Sequence, residues 1–132
     1  MLKKGLIFIV LLSVSVISFA DTDFAGVYKC HGTDPYLNKA YTGTVTVTHQ
    51  HSVYKLEMDY DTGETANGTG GQYDATLMSV VFQDKKDPKK VGLEQYTFTP
   101  NKQIMQGYWV YLGQTKLGTE ICERQEPMTT SN

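Results

Sequence analysis

Three histidines are the side chains of this sequence best suited to bind a metal ion. His49 and His51 are separated by one residue, so an extended backbone would project both imidazoles to one side, and His31 could join them from a neighbouring strand. Gln50 and Ser52 are turn residues, which favours the alternative of a solvated hairpin tip. Because metal sites are recognised by whole ligand sets rather than by a pair, we expect no metal and no cofactor.

No group of residues in the sequence has the spacing of a catalytic site. The GxSxG nucleophile motif is absent, and no pair of carboxylates stands out by position. The lysine-rich run of residues 85–90 could touch an anionic surface, but its aspartate and proline favour a solvated loop. Residues 59–64 fit an acidic hairpin turn better than a calcium loop. The sequence therefore predicts a protein that is not an enzyme.

Aromatic side chains form the other notable cluster. Tyr96 and Phe98 come from one predicted strand, and Tyr108, Trp109 and Tyr111 come from the next. Trp109 and Tyr111 share one face of their strand, and Tyr108 lies on the other. Facing outward, Trp109 and Tyr111 would form a stripe for a glycan or a protein partner; facing inward, they would fill the core. The sequence favours the core, because aromatic residues dominate small cores.

Short strands are the elements that must position these residues. Beyond residue 20, β-rich runs recur about every ten residues between Gly, Asn, Asp and Pro, a pattern typical of a sandwich or barrel. Residues 64–73 are rich in glycine, which indicates a bulge, a sharp bend or close backbone approach. The apolar residues 75–83 predict a strand that is covered on both faces or lies at a tightly packed part of the sheet. The eight predicted strands span residues 24–31, 41–49, 53–60, 64–73, 75–83, 93–99, 103–112 and 116–124.

Sequential strands with short connections favour pairing in chain order, and closure into a barrel removes exposed sheet edges. A two-sheet sandwich is the alternative. Cys30 and Cys122 lie on the first and last strands, on the parity that we assign to the interior, so a disulfide between them would tie these strands together. The sequence predicts an all-β, monomeric, antiparallel up-and-down barrel over residues 21–124, closed by Cys30–Cys122, with a polar tail at 125–132.

Residues 1–20 have the features of a signal peptide. Lys3 and Lys4 precede an apolar run, and Ser18-Phe19-Ala20 is a small-x-small cleavage site. Cleavage leaves 112 of 132 residues, with 10 basic against 14 acidic side chains, a net charge of −4. We therefore expect export to the periplasm or the medium, no stable membrane anchor and no binding of nucleic acid, which requires basic side chains. An exported chain also favours the disulfide.

Gly26-Val27-Tyr28 on the first strand, with Arg124 ending the last, resembles the pattern of the calycins, the superfamily that includes the lipocalins. There, a Gly-x-aromatic sequence packs beneath an arginine of the final strand. The mature chain is also similar to a group of small secreted bacterial domains with a YTGTVTVT-like second strand and a closing GTExxxR. These resemblances imply a barrel and a structural role for Gly26, Tyr28 and Arg124, and they imply no particular activity.

Two loops resemble those of the periplasmic inhibitors of c-type lysozyme, which are small disulfide-bearing β-barrels. Residues 69–73, TGGQY, resemble the SGxxY loop of that family, and residues 111–118, YLGQTKLG, resemble its YxxxTKG loop. The resemblance implies that Tyr73, Thr115 and Lys116 enter an enzyme cleft. It predicts that Tyr73 and Lys116 lie on neighbouring exposed loops.

The sequence thus favours an exported, non-catalytic binding module for a protein, small-molecule or glycan ligand. An inhibitor of lysozyme or a similar hydrolase is one alternative, and a carrier with a cavity inside the barrel is another. The candidate binding residues are Tyr73, Trp109, Tyr111, Thr115 and Lys116.

Overall fold

The computed structural model describes residues 23–126, so the predicted signal peptide and residues 127–132 of the predicted tail lie outside the described residues. No helix within this range is long and apolar enough to cross a membrane. The regular structure consists of eight strands: β1 (Gly26–Asp34), β2 (Lys39–Gln50), β3 (Val53–Tyr60), β4 (Thr65–Gln72), β5 (Leu77–Asp84), β6 (Val91–Phe98), β7 (Ile104–Tyr111) and β8 (Gly118–Arg124).

Each strand pairs antiparallel with the next along the chain, and β8 pairs with β1, so the sheet closes into a barrel. The predicted up-and-down barrel is confirmed, and the sandwich is wrong. β3 has the predicted bounds, whereas β1 runs on to Asp34 because its ladder with β2 continues as far as Lys39. Asp34 then caps the turn, since its Oδ1 accepts hydrogen bonds from the backbone N–H groups of Tyr36 and Leu37.

Side chains point alternately inward and outward along each strand, and the inward ones form a single core inside the barrel. Val45 and Val47 of β2 are buried, as are Leu56 and Met58 of β3, while the residues between them face outward. The prediction that residues 75–83 are covered on both faces is wrong: Val81 is 51% exposed. The wall of a barrel is one layer thick, so the apolar outer residues of β5 reflect the preference of β-branched side chains for strands rather than a second covering layer.

The disulfide joins the first strand to the last, as predicted. Cys30 lies directly opposite Cys122 in the register of β1 with β8, and the two sulfurs are bonded. Both residues are buried in the core. A disulfide of this kind is consistent with an oxidising compartment such as those reached by export.

The antiparallel order divides the connections between the two ends of the barrel. Loops 35–38, 61–64, 85–90 and 112–117 lie at one end, which we call the open end. Loops 51–52, 73–76 and 99–103 lie at the opposite end with residues 23–25, and we call this the closed end. The two ends differ in how the interior is filled.

Candidate ligand-binding site

A cavity of about 330 Å³ lies inside the barrel at the open end. This volume is near the lower bound of about 300 Å³ for small-molecule pockets in proteins. The wall is largely apolar and aromatic, with side chains from four strands: Tyr41, Met58, Tyr60, Phe82, Trp109 and Tyr111. An enclosure with this lining can accept a small ligand that has an apolar or aromatic part.

The closed end, by contrast, is filled by aromatic side chains. Phe24 is fully buried, and its ring stacks on Phe98 with the centroids 4.0 Å apart. Tyr28 meets Phe98 edge-on, and its hydroxyl donates to the backbone carbonyl of Phe24 at 2.8 Å. A ligand can therefore reach the interior only through the open end of the described barrel.

The aromatic side chains of Phe24, Tyr28 and Phe98 form what we call the aromatic plug, and Arg124 at the end of β8 contacts it. Its guanidinium donates hydrogen bonds to the backbone carbonyls of Asp23, Ala25 and Lys102 at 2.7–2.9 Å. It also donates to the hydroxyl of Tyr28 at 2.8 Å and lies 5.1 Å from the centre of that ring. A Cβ added at Gly26 would come within 2.7 Å of the guanidinium. The three residues predicted to be structural, Gly26, Tyr28 and Arg124, thus form one contact group.

Two buried carboxyl groups lie beside the cavity. Glu94 of β6 lines it and is 4% exposed, and Glu120 of β8 is 1% exposed. The hydroxyl of Tyr96 lies 2.7 Å from Oε1 of Glu94 and 2.6 Å from Oε1 of Glu120. Tyr41 and Tyr60 donate to Oε2 of Glu120 at 3.1 and 3.4 Å. We call Glu94, Glu120 and these three tyrosines the acid cluster.

The two carboxyl groups of the acid cluster have different surroundings. Burial, the adjacent charge of Glu120 and a hydrogen bond between the carboxyls raise the pKa of Glu94 well above its usual value. The protonated, neutral form of Glu94 is therefore favoured at pH values at which an exposed glutamate has begun to ionise. Three hydroxyls approach the carboxyl group of Glu120, those of Tyr41, Tyr60 and Tyr96.

Gly107 of β7 makes the acid cluster possible. β7 runs between β6 and β8, and Gly107 is the register partner of both Tyr96 and Glu120. A Cβ on Gly107 would clash with Oε2 of Glu94 and with the ring of Tyr96. Within residues 23–126, no donor reaches that Oε2 atom. The glycine therefore gives the side chains of Glu94 and Tyr96 the room that they occupy.

The signal for this cluster was present in the sequence but was missed. Glu94 and Tyr96 are two residues apart and share the inner face of β6, and Glu120 shares the inner face of β8 with Cys122. Since Cys122 was assigned to the interior, Glu120 follows from the same alternation. Alternation does not predict the register of β6 and β8 against β7, and this register brings the two carboxyl groups together.

Trp109 and Tyr111 face the cavity, so the prediction that they belong to the interior is confirmed and the outward stripe is wrong. The indole N–H of Trp109 donates to the hydroxyl of Tyr41 at 2.9 Å, which connects the aromatic wall to the acid cluster. Tyr108 lies on the outer face and is 47% exposed.

The loops that resemble those of the lysozyme inhibitors do not meet. Tyr73 is 80% exposed at the closed end, while Thr115 and Lys116 are exposed at the open end. The prediction of neighbouring loops is therefore wrong, because the loops following β4 and β7 must leave an antiparallel barrel at opposite ends. The backbone N–H groups of Thr115 and Lys116 instead donate to the hydroxyl of Tyr36, beside the cavity mouth.

The three histidines do not converge. His31 pairs with Thr42, seven residues along β2 from His49, which is a separation of about 23 Å at strand spacing. His49 instead contacts the carboxylate of Asp23, and His51 lies in the turn with positive φ. In the described part of the chain, the only group of three potential metal ligands is Glu120 with Cys30 and Cys122, whose sulfurs form the disulfide.

Comparison with protein families and with curated proteins adds no relative: no family model matches the chain, and no curated sequence is significantly similar to it.

The raised pKa of Glu94 predicts how stability changes with pH. The folded protein keeps the proton of Glu94 above pH 4.5, its usual pKa, whereas the unfolded chain releases it. The contribution of this group is therefore complete below pH 4.5 and is lost as the pH rises through the folded-state pKa. Relative to Glu94→Gln, the wild type should lose up to about 1.4 kcal/mol of unfolding free energy per pH unit in that window.

Urea denaturation of both proteins between pH 4 and pH 9 checks this prediction. The comparison is made as a difference because the lowered pKa values of Asp23 and Asp84 act with the opposite sign, removing stability at acid pH in both proteins. A difference in unfolding free energy that does not change with pH would contradict the neutral state of Glu94.

Proposed function

We propose that the protein is an exported, non-catalytic binding module that holds a small molecule in the cavity at the open end of the barrel. The observation that carries this proposal is the asymmetry of the interior. One end is plugged by Phe24, Phe98 and Tyr28, and the other keeps a cavity of about 330 Å³ with an aromatic wall. A barrel whose only task was to be stable would gain by filling that space, since protein interiors are close-packed.

The mouth supports the same proposal. Leu37 lines the cavity on loop 35–38 and is 73% exposed, and Leu112 and Leu117 on loop 112–117 are 87% and 61% exposed. Exposed apolar side chains concentrated around an opening are typical of ligand-binding sites. The packing of Arg124 over Tyr28 also supports a calycin-like barrel, a class of folds in which the interior is used for ligands.

The lysozyme-inhibitor alternative has no comparable support. It requires Tyr73 and Lys116 to act together, and these residues lie at opposite ends of the barrel. We therefore place the binding function inside the barrel, with Trp109 and Tyr111 as ligand contacts.

Trp109 makes the proposal directly testable, because it is the only tryptophan of the chain and lines the cavity. The mature protein, residues 21–132, would be titrated with a library of small molecules while its intrinsic fluorescence and thermal unfolding are recorded. Ligands of the cavity should change the Trp109 emission and raise the melting temperature together, since binding to the folded state stabilises it.

Ala66→Phe should abolish this binding. Ala66 is a buried residue of β4 that lines the cavity, so a phenyl ring at this position would occupy the space of the ligand. Affinity for cavity ligands should fall by a factor of about 100 or more, because overlap with a ring costs several kcal/mol. Stability should change by less than about 2 kcal/mol, since the ring fills existing space.

Thr69→Phe is the matched control, because it adds the same side chain to the exposed outer face of β4. It should leave ligand binding unchanged. Library ligands that bind equally well to folded Ala66→Phe would place their site elsewhere, and the absence of any ligand that depends on Ala66 would overturn the proposed function.

A further inference from the structure

The acid cluster gives the cavity a defined electrostatic character. No lysine, arginine or histidine of residues 23–126 forms an ion pair with Glu94 or Glu120. Their hydrogen bonds come from the hydroxyls of Tyr41, Tyr60 and Tyr96. A buried charge is costly unless it is paired, and hydroxyls compensate a carboxylate only in part. A positively charged group of a ligand would therefore be stabilised by the carboxyl groups of the acid cluster.

The aromatic wall and the mouth favour the same kind of ligand. The faces of Trp109 and tyrosines can attract a cation through their π systems. Four carboxylic side chains line the cavity or its mouth, Asp34, Glu64, Asp84 and Glu94, against one lysine, Lys39. Lys90, 3.9 Å from Glu64 and 4.5 Å from the centre of the Tyr111 ring, adds a positive charge at the mouth, so the acidic excess belongs to the lining residues alone. Within that lining it favours a cation over an anion.

We infer, building on the proposed function, that the ligand is a small organic cation, an ammonium group carried on an apolar or aromatic body. Its positive charge lies beside Glu94 in place of the proton that this carboxyl group otherwise holds. The carboxyl group of Glu94, which lines the cavity and has one oxygen that no donor of the described chain reaches, accepts a hydrogen bond from the ammonium group. The apolar body of the ligand packs against Trp109 and Tyr111.

Binding of the cation is therefore an exchange for a proton. The protonated Glu94 releases its proton to solvent, and the resulting carboxylate pairs with the ammonium group. The titratable groups facing Glu94 are Tyr96 on its own strand, Glu120 on β8, Tyr41 on β2, Tyr60 on β3 and Tyr111 on β7. All four tyrosines have pKa values raised by burial and by the nearby carboxylates, so they stay neutral while Glu94 titrates.

Three probes of matched shape test the inference: 2-phenylethylamine, which is a cation, 2-phenylethanol, which is neutral, and phenylacetate, which is an anion. Binding to the mature protein would be followed by Trp109 fluorescence and by calorimetry in two buffers of different ionisation enthalpy. At pH 8 the amine should bind at least about tenfold more tightly than the alcohol, and the anion should bind most weakly. The amine should also release a proton and weaken as the pH is lowered.

Glu94→Gln should reduce amine affinity by about tenfold or more, abolish the proton release and leave alcohol affinity within about threefold. Glu123→Gln removes the same charge from the outer face of β8 and should change none of these quantities. Should Glu94→Gln fail to fold, the wild-type ranking of the probes and the proton count still decide the inference.

Amine and alcohol binding with equal affinity, or amine binding without proton release, would overturn the inference of a cation. That outcome leaves the proposed function standing if the binding is still lost in Ala66→Phe. Failure of all three probes to bind also overturns the inference, whereas the proposed function falls only if the library contains no ligand that depends on Ala66.

Discussion

Replacing both Cys30 and Cys122 by alanine is expected to lower the free energy of unfolding by about 4–5 kcal/mol. The disulfide joins residues 92 positions apart, and closing a loop of that length removes much of the conformational freedom of the unfolded chain. The stability of a domain of this size is about 5–15 kcal/mol, so the disulfide accounts for a large share of it. The effect acts mainly on the unfolded state, so the eight-stranded barrel should persist in the folded fraction.

Urea denaturation of the wild type and of the double alanine variant measures this loss as a shift of the midpoint. The double variant avoids a free thiol, which could form disulfides between molecules. Ile121→Ala, on the outer face of β8 beside Cys122 and 41% exposed in the wild type, is the control and should cost less than about 1 kcal/mol. A loss below about 1.5 kcal/mol for the double variant would show that the unfolded chain already keeps the first and last strands close together.

The same disulfide also lies next to the acid cluster. The sulfurs of Cys30 and Cys122 and a carboxylate oxygen of Glu120 lie within 4.8 Å of one another. Together the pairing of β1 with β8 and the covalent link fix the strand on which Glu120 stands. Loss of the disulfide should therefore weaken cavity ligands in proportion to the unfolded fraction and no further, since the register of β8 is also held by its pairing with β7.

Local patterns in the sequence were sufficient for the strands and for the side of the wall that each residue occupies. The alternation of residues 41–49 and 53–60 depends only on neighbours in the chain, and burial in the structure follows it. The pairing of Cys30 with Cys122 was also accessible, because two cysteines on inward positions of the first and last strands leave one solution for a closed barrel. Turn residues located most strand ends to within three positions.

Properties that depend on position along the barrel axis were harder to predict. Loops 73–76 and 112–117 lie at opposite ends because three strands, an odd number, separate them in an antiparallel barrel. The similarity to inhibitor loops predicted instead that they would be neighbours. The cavity lies at the open end because Phe24, Tyr28 and Phe98 pack together and fill the closed end, and only the register reveals which end is filled. Glu94 and Glu120 were overlooked because charged residues are rarely buried, and their proximity depends on Gly107.

Replacing Arg124 by methionine is expected to lower the free energy of unfolding by about 3 kcal/mol. The guanidinium satisfies the carbonyls of Asp23, Ala25 and Lys102, and methionine keeps much of the side-chain volume but donates no hydrogen bond. Each hydrogen bond from a charged donor contributes about 1.5–3 kcal/mol, and part of that is recovered by water because Arg124 is only half-buried. The expected loss arises because the carbonyls of Asp23 and Ala25, which flank the buried Phe24, would lose the guanidinium as a donor.

Arg124→Lys is the informative second variant, because it keeps the charge but replaces a planar fork of five donors by a single ammonium group. It should restore less than half of the loss, about 1 kcal/mol, since one ammonium cannot reach all three carbonyls and the hydroxyl of Tyr28. Thermal and urea denaturation of the two variants beside the wild type make the comparison. Full recovery with lysine would mean that charge near the ring of Tyr28, rather than the hydrogen-bond fork, secures the closed end.

Ligand binding in the same variants then separates the two ends of the barrel. Arg124 lies at the closed end and does not line the cavity, so folded Arg124→Met should bind cavity ligands with an affinity within about threefold of the wild type. Glu94→Gln should do the reverse, changing ligand selectivity while keeping the plug intact. Loss of ligand binding by folded Arg124→Met would contradict this expectation. It would mean that the aromatic plug at the closed end helps to shape the cavity, so that stability and binding in this barrel are coupled.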